Sequence, residues 1–135
     1  MSSKVILLVD DDLDDTQLFC EAIEQIEPGA TFVTAEDGVA AIEVLNNVPK
    51  LPDVIFLDVN MPRMGGMEFL TKIKKSSLFK HIPVAMYSTA KTSEMELIAK
   101  RLGAAYYIRK PNSFDEIIYN INQVLNSLSA SLKEI

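Results

Sequence analysis

Residues 5–12 read Val-Ile-Leu-Leu-Val-Asp-Asp-Asp, a five-residue aliphatic run that stops on three acids. A parallel sheet is covered by helices on both faces, so its central strands must be apolar throughout. Further along, other strand-like runs also end on residues suited to phosphate chemistry. Val54–Leu57 leads into Asp58, Val84–Tyr87 into Ser88 and Thr89, and Ala104–Ile108 into Arg109 and Lys110. Open parallel α/β sheets bind ligands at the carboxyl ends of their strands. The pattern therefore gathers acids, a hydroxyl pair and a cation along one edge, and it points to a metal-dependent phosphoryl site.

Helical-period segments separate the runs. Phe19, Ala22, Ile23 and Ile26 recur at helical spacing and predict a first helix over 13–27, stopped by Pro28-Gly29. Thr31–Ala35 is a shorter, more polar strand suited to a sheet edge, and Asp37 is placed to cap a helix over 38–47. A loop with two prolines spans Asn46–Pro52, and one with Pro62, Gly65 and Gly66 leads to a helix near 67–76. Ser93 with Glu96 has the spacing of a capping box for a helix over 93–102, ended by Gly103. Ser113 and Glu116 repeat that spacing before a long apolar stripe from Phe114 to Leu128. Five βα units in series, with no linker or repeat, predict one domain over 1–135 built on a doubly wound five-stranded parallel sheet. A strand order of 2-1-3-4-5 sets the first and third strands side by side at the switch point, which brings Asp10–Asp12 next to Asp58.

Composition narrows the class. The 135 residues are 48% hydrophobic and 24% charged, enough for a real core and unlike a disordered chain. A net charge of −6 with no dense Lys/Arg cluster argues against nucleic-acid binding. The single cysteine, Cys20, excludes an intramolecular disulfide and a cysteine metal site. No run has the length of a signal core or a membrane span, so the expectation is a cytoplasmic protein without membrane association.

Carboxylates crowded into one cleft raise one another's pKa unless a cation sits among them. Magnesium takes one or two carboxylates, waters and a phosphate. Asp10, Asp11 and Asp58 suit that role, with the backbone carbonyl of Asn60 as a further oxygen. A carboxylate also attacks phosphorus, giving an aspartyl phosphate. Asp58, the one acid ending the third strand, is the candidate nucleophile. Lys110 and the Ser88 hydroxyl are suited to meet the phosphoryl oxygens.

Each residue taken alone has a plainer role. Asp12, Asp14 and Asp15 are assigned to the helix N-terminus, where negative charge is favourable. For Asp10 and Asp11 singly, capping competes evenly with metal binding, and Lys110 singly is a surface lysine. Cys20 reads as a small core or boundary residue, His81 as a solvated loop residue, and Met61 as a pin for the loop beside the site. The coincidence of these groups at strand ends favours the phosphoryl site.

These residues resemble, over nearly the whole chain, the receiver domains of two-component response regulators. Val-Asp-Asp at 9–11 is similar to the acidic pair after the first strand. Leu-Asp-Val-Asn-Met-Pro at 57–62 with Gly66 is similar to the phosphoacceptor strand and loop. Ser-Thr-Ala at 88–90 resembles the hydroxyl position, and Tyr-Ile-Arg-Lys-Pro at 107–111 the switch aromatic and invariant lysine. The resemblance implies a flavodoxin-like fold and phosphorylation of Asp58 by a sensor histidine kinase with Mg2+. It implies Asp11 as the direct metal ligand, with Asp10 in a second or water-mediated layer. It also implies a switch in which Ser88 moves toward the phosphate and Tyr107 rotates inward. That switch reshapes the surface of the fourth helix, fifth strand and fifth helix. A cis Lys110–Pro111 peptide is typical of the family. Gly65 departs from the usual aspartate, while Asn60 and Ala90 occupy the two variable positions that tune phosphoryl lifetime. The Asn46–Pro52 loop resembles that of regulators associated with phytochrome-type kinases.

The expectation is a stand-alone regulator that binds a downstream effector protein or itself, as a phosphorylation-linked homodimer. Its only catalysis is its own phosphoryl transfer and autodephosphorylation. A relay intermediate that passes the group to a histidine phosphotransfer protein has the same site. A haloacid-dehalogenase-like phosphatase requires an aspartate two residues after the nucleophile, where this chain has Asn60. A flavodoxin-like cofactor binder would not set aspartates where a phosphate must sit.

Overall fold

The computed structural model describes residues 4–133. Strands and helices alternate: β1 (Val5–Val9), α1 (Leu13–Ile26), β2 (Thr31–Ala35), α2 (Gly38–Asn47), β3 (Val54–Leu57), α3 (Gly66–Lys74), β4 (Val84–Ser88), α4 (Ser93–Arg101), β5 (Tyr106–Arg109) and α5 (Phe114–Lys133). All five strands are parallel and lie in one sheet, ordered β2-β1-β3-β4-β5. This is the doubly wound, flavodoxin-like arrangement expected from the sequence. β1, β3 and β4 are buried at every residue, whereas β2, buried only at Ala35, stands at an edge.

Two apolar layers cover the sheet. Alternate strand residues such as Leu7, Ile55 and Met86 meet Leu45 of α2, Phe69 and Leu70 of α3 and Ala99 of α4. The other set, including Ile6, Phe56 and Tyr87, meets Phe19 and Ile23 of α1 and Ile121 and Leu125 of α5. On that second face Phe19 sits 4.8 Å from the Phe56 ring and 5.3 Å from the Tyr87 ring, both edge-on. Such aromatic contacts add to the area they bury.

Several helix starts match the sequence reading. Asp12 accepts from Asp15 N, Asp37 from Ala40 N, and Ser113 Oγ from Glu116 N. At α4 the expectation is off by one residue, because Thr92 caps the helix by accepting from Met95 N. Thr92 is the residue with extended backbone, and a cap must lie just outside the helical dihedrals. The fifth strand starts at Tyr106, two residues later than Ala104. Gly103, at φ 111°, closes α4 with bonds from its own N to Lys100 O and from Ala104 N to Ala99 O, so Ala104 belongs to the turn. The described residues contain no cis peptide, so Lys110–Pro111 is trans, against the expectation. Trans is the intrinsically lower form before proline, and Lys110 N already donates to Ser88 O at 2.9 Å.

Candidate functional site

Register decides what meets at the carboxyl edge. Val9 stands opposite Leu57, so Asp10 and Asp58 leave neighbouring strands at one level. Leu57 pairs with Met86 and Ser88 with Arg109, so Ser88 and Lys110 emerge beside them. Backbone bonds continue past the strand ends and fix these positions, from Asp10 N to Ala35 O and from Asp58 N to Val9 O, both 2.9 Å.

The side chains converge on Lys110, which is only 8% exposed. Its Nζ lies 2.7 Å from Asp10 Oδ2, 2.8 Å from Asp15 Oδ2 and 3.3 Å from Asp58 Oδ2. It donates hydrogen bonds to Asp15 and Asp58. Its contact with the buried Asp10 Oδ2 is a close ion pair. Asp10 Oδ1 accepts from Asp12 N, and Asp58 Oδ1 from Val59 N at 2.7 Å. Lys110 also sits 5.8 Å from the centre of the Tyr87 ring.

The electrostatics follow from this crowding. Burial pushes the Asp10 carboxyl up to about 6, against the lowering pull of Lys110 and Asp12 N. Burial by itself would lower the Lys110 ammonium, but Asp10, Asp15 and Asp58 outweigh it and hold the pKa above the usual lysine range. One buried ammonium among these acids leaves negative charge in excess.

Carboxylate oxygens of Asp10, Asp11 and Asp58 all lie within 4.8 Å of one another. The set is hard oxygen throughout, and its three carboxylates outnumber the one ammonium beside them. Both observations fit a hard divalent cation such as Mg2+. Asp11 is exposed and leaves the mouth of the cluster open. Asn60 is exposed in the loop two residues beyond Asp58. That loop returns tightly, with Gly66 N donating to Val59 O, and a Cβ at Gly66 would overlap the Asp58 carbonyl.

Ser88 is fully buried, and its Oγ accepts from Ala90 N at 3.3 Å. Tyr107 is also buried, its hydroxyl donating to Ala90 O at 2.6 Å. Arg109, the other cation at the end of the fifth strand, turns away and donates to Lys91 O, while Lys91 Nζ donates to Tyr107 O. Thr89 and Asp14 stay exposed at the rim.

Asp15 lies in the first turn of α1, as read, but the sequence reading missed its partner. Assigned only to the helix terminus, it reaches Lys110 across 95 positions of sequence. The available signal was topological. The first turn of α1 follows directly from β1, so it faces the same sheet edge as Lys110, and a buried ammonium attracts any carboxylate within reach.

An acid cluster and a lysine thus stand together at the switch point of a 2-1-3-4-5 sheet. The sequence matches the family described as the response regulator receiver domain over residues 6–122. The phosphate regulon transcriptional regulatory protein PhoB of Escherichia coli strain K12 is 33% identical over 124 residues, which is 92% of this chain and 52% of PhoB. The chain thus spans about half the length of that relative. The phosphorylated cyanobacterial phytochrome response regulator RcpA superposes with a TM-score of 0.83 at 29% identity, over 91% of each chain. The Mn2+-bound form of response regulator Rcp1 gives 0.79 at 27% identity, over 90% of this chain and 91% of that one. The chain belongs to the response regulator receiver domains of two-component signalling. A receiver domain is a signalling domain, one that interacts with kinases and downstream effectors.

Proposed function

We propose that Asp58 accepts a phosphoryl group from a phosphohistidine of a sensor histidine kinase. In the step, an Asp58 carboxylate oxygen attacks phosphorus and a P–O bond forms. The N–P bond breaks, and its electron pair stays on the imidazole nitrogen. The observation that carries this reading is the setting of Asp58, a buried carboxylate at a strand end, 3.3 Å from a buried ammonium and within 4.8 Å of two further acids. Phosphorylated RcpA and Mn2+-bound Rcp1 are similar over nine-tenths of the chain and support it.

Each side chain then has one task. Asp10, Asp11 and Asp58, with the Asn60 carbonyl, would hold the divalent ion. When bound, that ion supplies positive charge to the phosphoryl oxygens. Lys110 donates to a second oxygen, and Ser88, freed from Ala90 N, to a third. Val59 N, already bonded to Asp58, orients the carboxylate. Tyr107 and the Ala90 carbonyl carry the change to the face formed by α4, β5 and α5, where a downstream protein or a second copy of the chain binds. We place this activity in the cytoplasm. Passage of the group onward to a histidine phosphotransfer protein uses the same site.

The test is incubation with acetyl phosphate and Mg2+ followed by intact mass. One added phosphoryl group is expected on the unaltered chain and none on Asp58→Asn. No addition, or equal addition to the variant, overturns the assignment.

A further inference from the structure

We propose that Asp15 is a positioning residue for phosphoryl transfer, anchoring the Lys110 ammonium on the α1 side of the site and withholding it from the phosphoryl group until transfer. The proposal rests on the reading of Asp58 as acceptor. An ammonium has three N–H groups to distribute. Here Lys110 Nζ lies 2.7 Å from Asp10 and 2.8 Å from Asp15, while the bond to Asp58, at 3.3 Å, is the longest of the three contacts. Lys110 is therefore held more tightly by a residue outside the metal cluster than by the acceptor itself.

The anchor is built into the start of α1. Asp12 caps the helix by accepting from Asp15 N at 2.9 Å, and its carbonyl accepts from Thr16 N and from Thr16 Oγ1. These bonds fix the turn from which Asp15 points at Lys110. The Asp15 side chain is 34% exposed, so it is free to adjust when the lysine leaves. Phosphorylation adds new anionic oxygens beside Asp58, and a lysine already bonded to Asp15 must lengthen or exchange that bond to reach them. Hydrogen bonds between two ions are about twice as strong as neutral ones. Removing the Asp15 charge while keeping its shape therefore leaves Lys110 held by Asp10 and Asp58 alone and lets it shift toward Asp58.

Phosphorylation by acetyl phosphate, followed by intact mass over time, reads this directly. Asp15→Asn is expected to accept the group about three- to tenfold faster, a difference within reach of one charge-assisted bond. Asp15→Glu keeps the carboxylate and should stay near the original rate. The acceleration should persist at high salt, because a direct contact with the buried Lys110 ammonium is weakly screened. It should also shrink to less than about twofold in a Lys110→Ala background, since coupled residues lose their effect together. An unchanged or slower Asp15→Asn overturns the proposal. So does an acceleration that vanishes in salt or survives loss of Lys110, because either marks simple repulsion of the donor. Failure of the unaltered chain to take up phosphate would instead overturn the assignment of Asp58.

Discussion

Two buried aspartates at the same sheet edge have opposite fates. Asp37 follows β2 and Asp10 follows β1, on adjacent strands. Each accepts one backbone N–H, Asp37 from Ala40 and Asp10 from Asp12. They differ in the cation. Arg63 gives Asp37 a two-pronged bond, Nε to Oδ2 at 2.8 Å and an η nitrogen to Oδ1 at 3.1 Å, and this fork holds the Asp37 carboxyl below its usual range. Lys110 is shared by Asp10, Asp15 and Asp58, and burial pushes Asp10 up to about 6. A matched acid and base make a fixed joint between the loops after β2 and β3. An unmatched cluster keeps the capacity to take up a cation or a phosphoryl oxygen. Buried charge is thus matched on one side of the edge and left in negative excess on the other.

The largest predicted effect tests whether the unmatched side tolerates any shift. At Gly66 a Cβ would overlap the Asp58 backbone carbonyl, which has no freedom to yield. At Gly38, beside Asp37, a Cβ would press on the Met64 side chain at 2.7 Å. Gly66→Ala should cost about 3 kcal/mol in urea unfolding, the upper range of overpacking, and should suppress phosphate uptake. Gly38→Ala should cost less and leave uptake measurable, since its overlap is with Met64 side-chain atoms at 2.7–2.8 Å and not with the Asp58 carbonyl. Equal losses would erase the contrast between the two loops.

Next in size is the pH dependence of Asp10. Its folded pKa, about 6, lies above the ordinary value of 3.8. A raised acid favours the fold fully below the unfolded pKa, and that stabilisation is lost as pH rises through the folded pKa. The metal-free protein should therefore weaken relative to Asp10→Asn between pH 4 and pH 7.5, on the order of 2 kcal/mol. Chemical unfolding in the presence of a chelator, at both pH values, measures the gap. Added Mg2+ should restore the unaltered protein and have little effect on the variant, as preferential binding to the folded state requires. A gap that does not move with pH would mean that Lys110 satisfies Asp10 fully.

Much of this was legible in the sequence because hydrophobic pattern and strand ends are local properties. The aliphatic runs at Val5–Val9 and Val54–Leu57 marked the central strands, and the acids that end them marked the site. Asp12, Asp37 and Ser113 were readable as caps from their spacing alone. Thr92 was not, since Thr92 and Ser93 carry equivalent hydroxyls and only the backbone dihedrals choose between them. Asp15 and Arg63 were missed for a common reason. Their partners, Lys110 and Asp37, stand 95 and 26 positions away, and no local period records such a pairing. Arg63 is further concealed by its backbone, at φ 60° the one positive value outside glycine among the described residues.

The smallest effect is expected at that arginine, and it sharpens the comparison most. Arg63→Ala retains the unfavourable backbone angle, because alanine is disfavoured there as well, so the variant isolates the loss of the guanidinium. Asp37 would keep its cap bond to Ala40 N, which limits the damage. A fall in melting temperature of roughly 3 °C at neutral pH is expected. The sign with pH is opposite to that of Asp10. A depressed carboxyl contributes stability above its unfolded pKa and loses it as pH falls through the folded value. The deficit of Arg63→Ala should therefore close as the solution is acidified below the ordinary aspartate range. Phosphate uptake at Asp58 should change less than about twofold, since the fork joins two loops without touching the acid cluster. A large loss of uptake at unchanged melting temperature would break the division, by showing that the matched pair also sets the loop that carries Asn60.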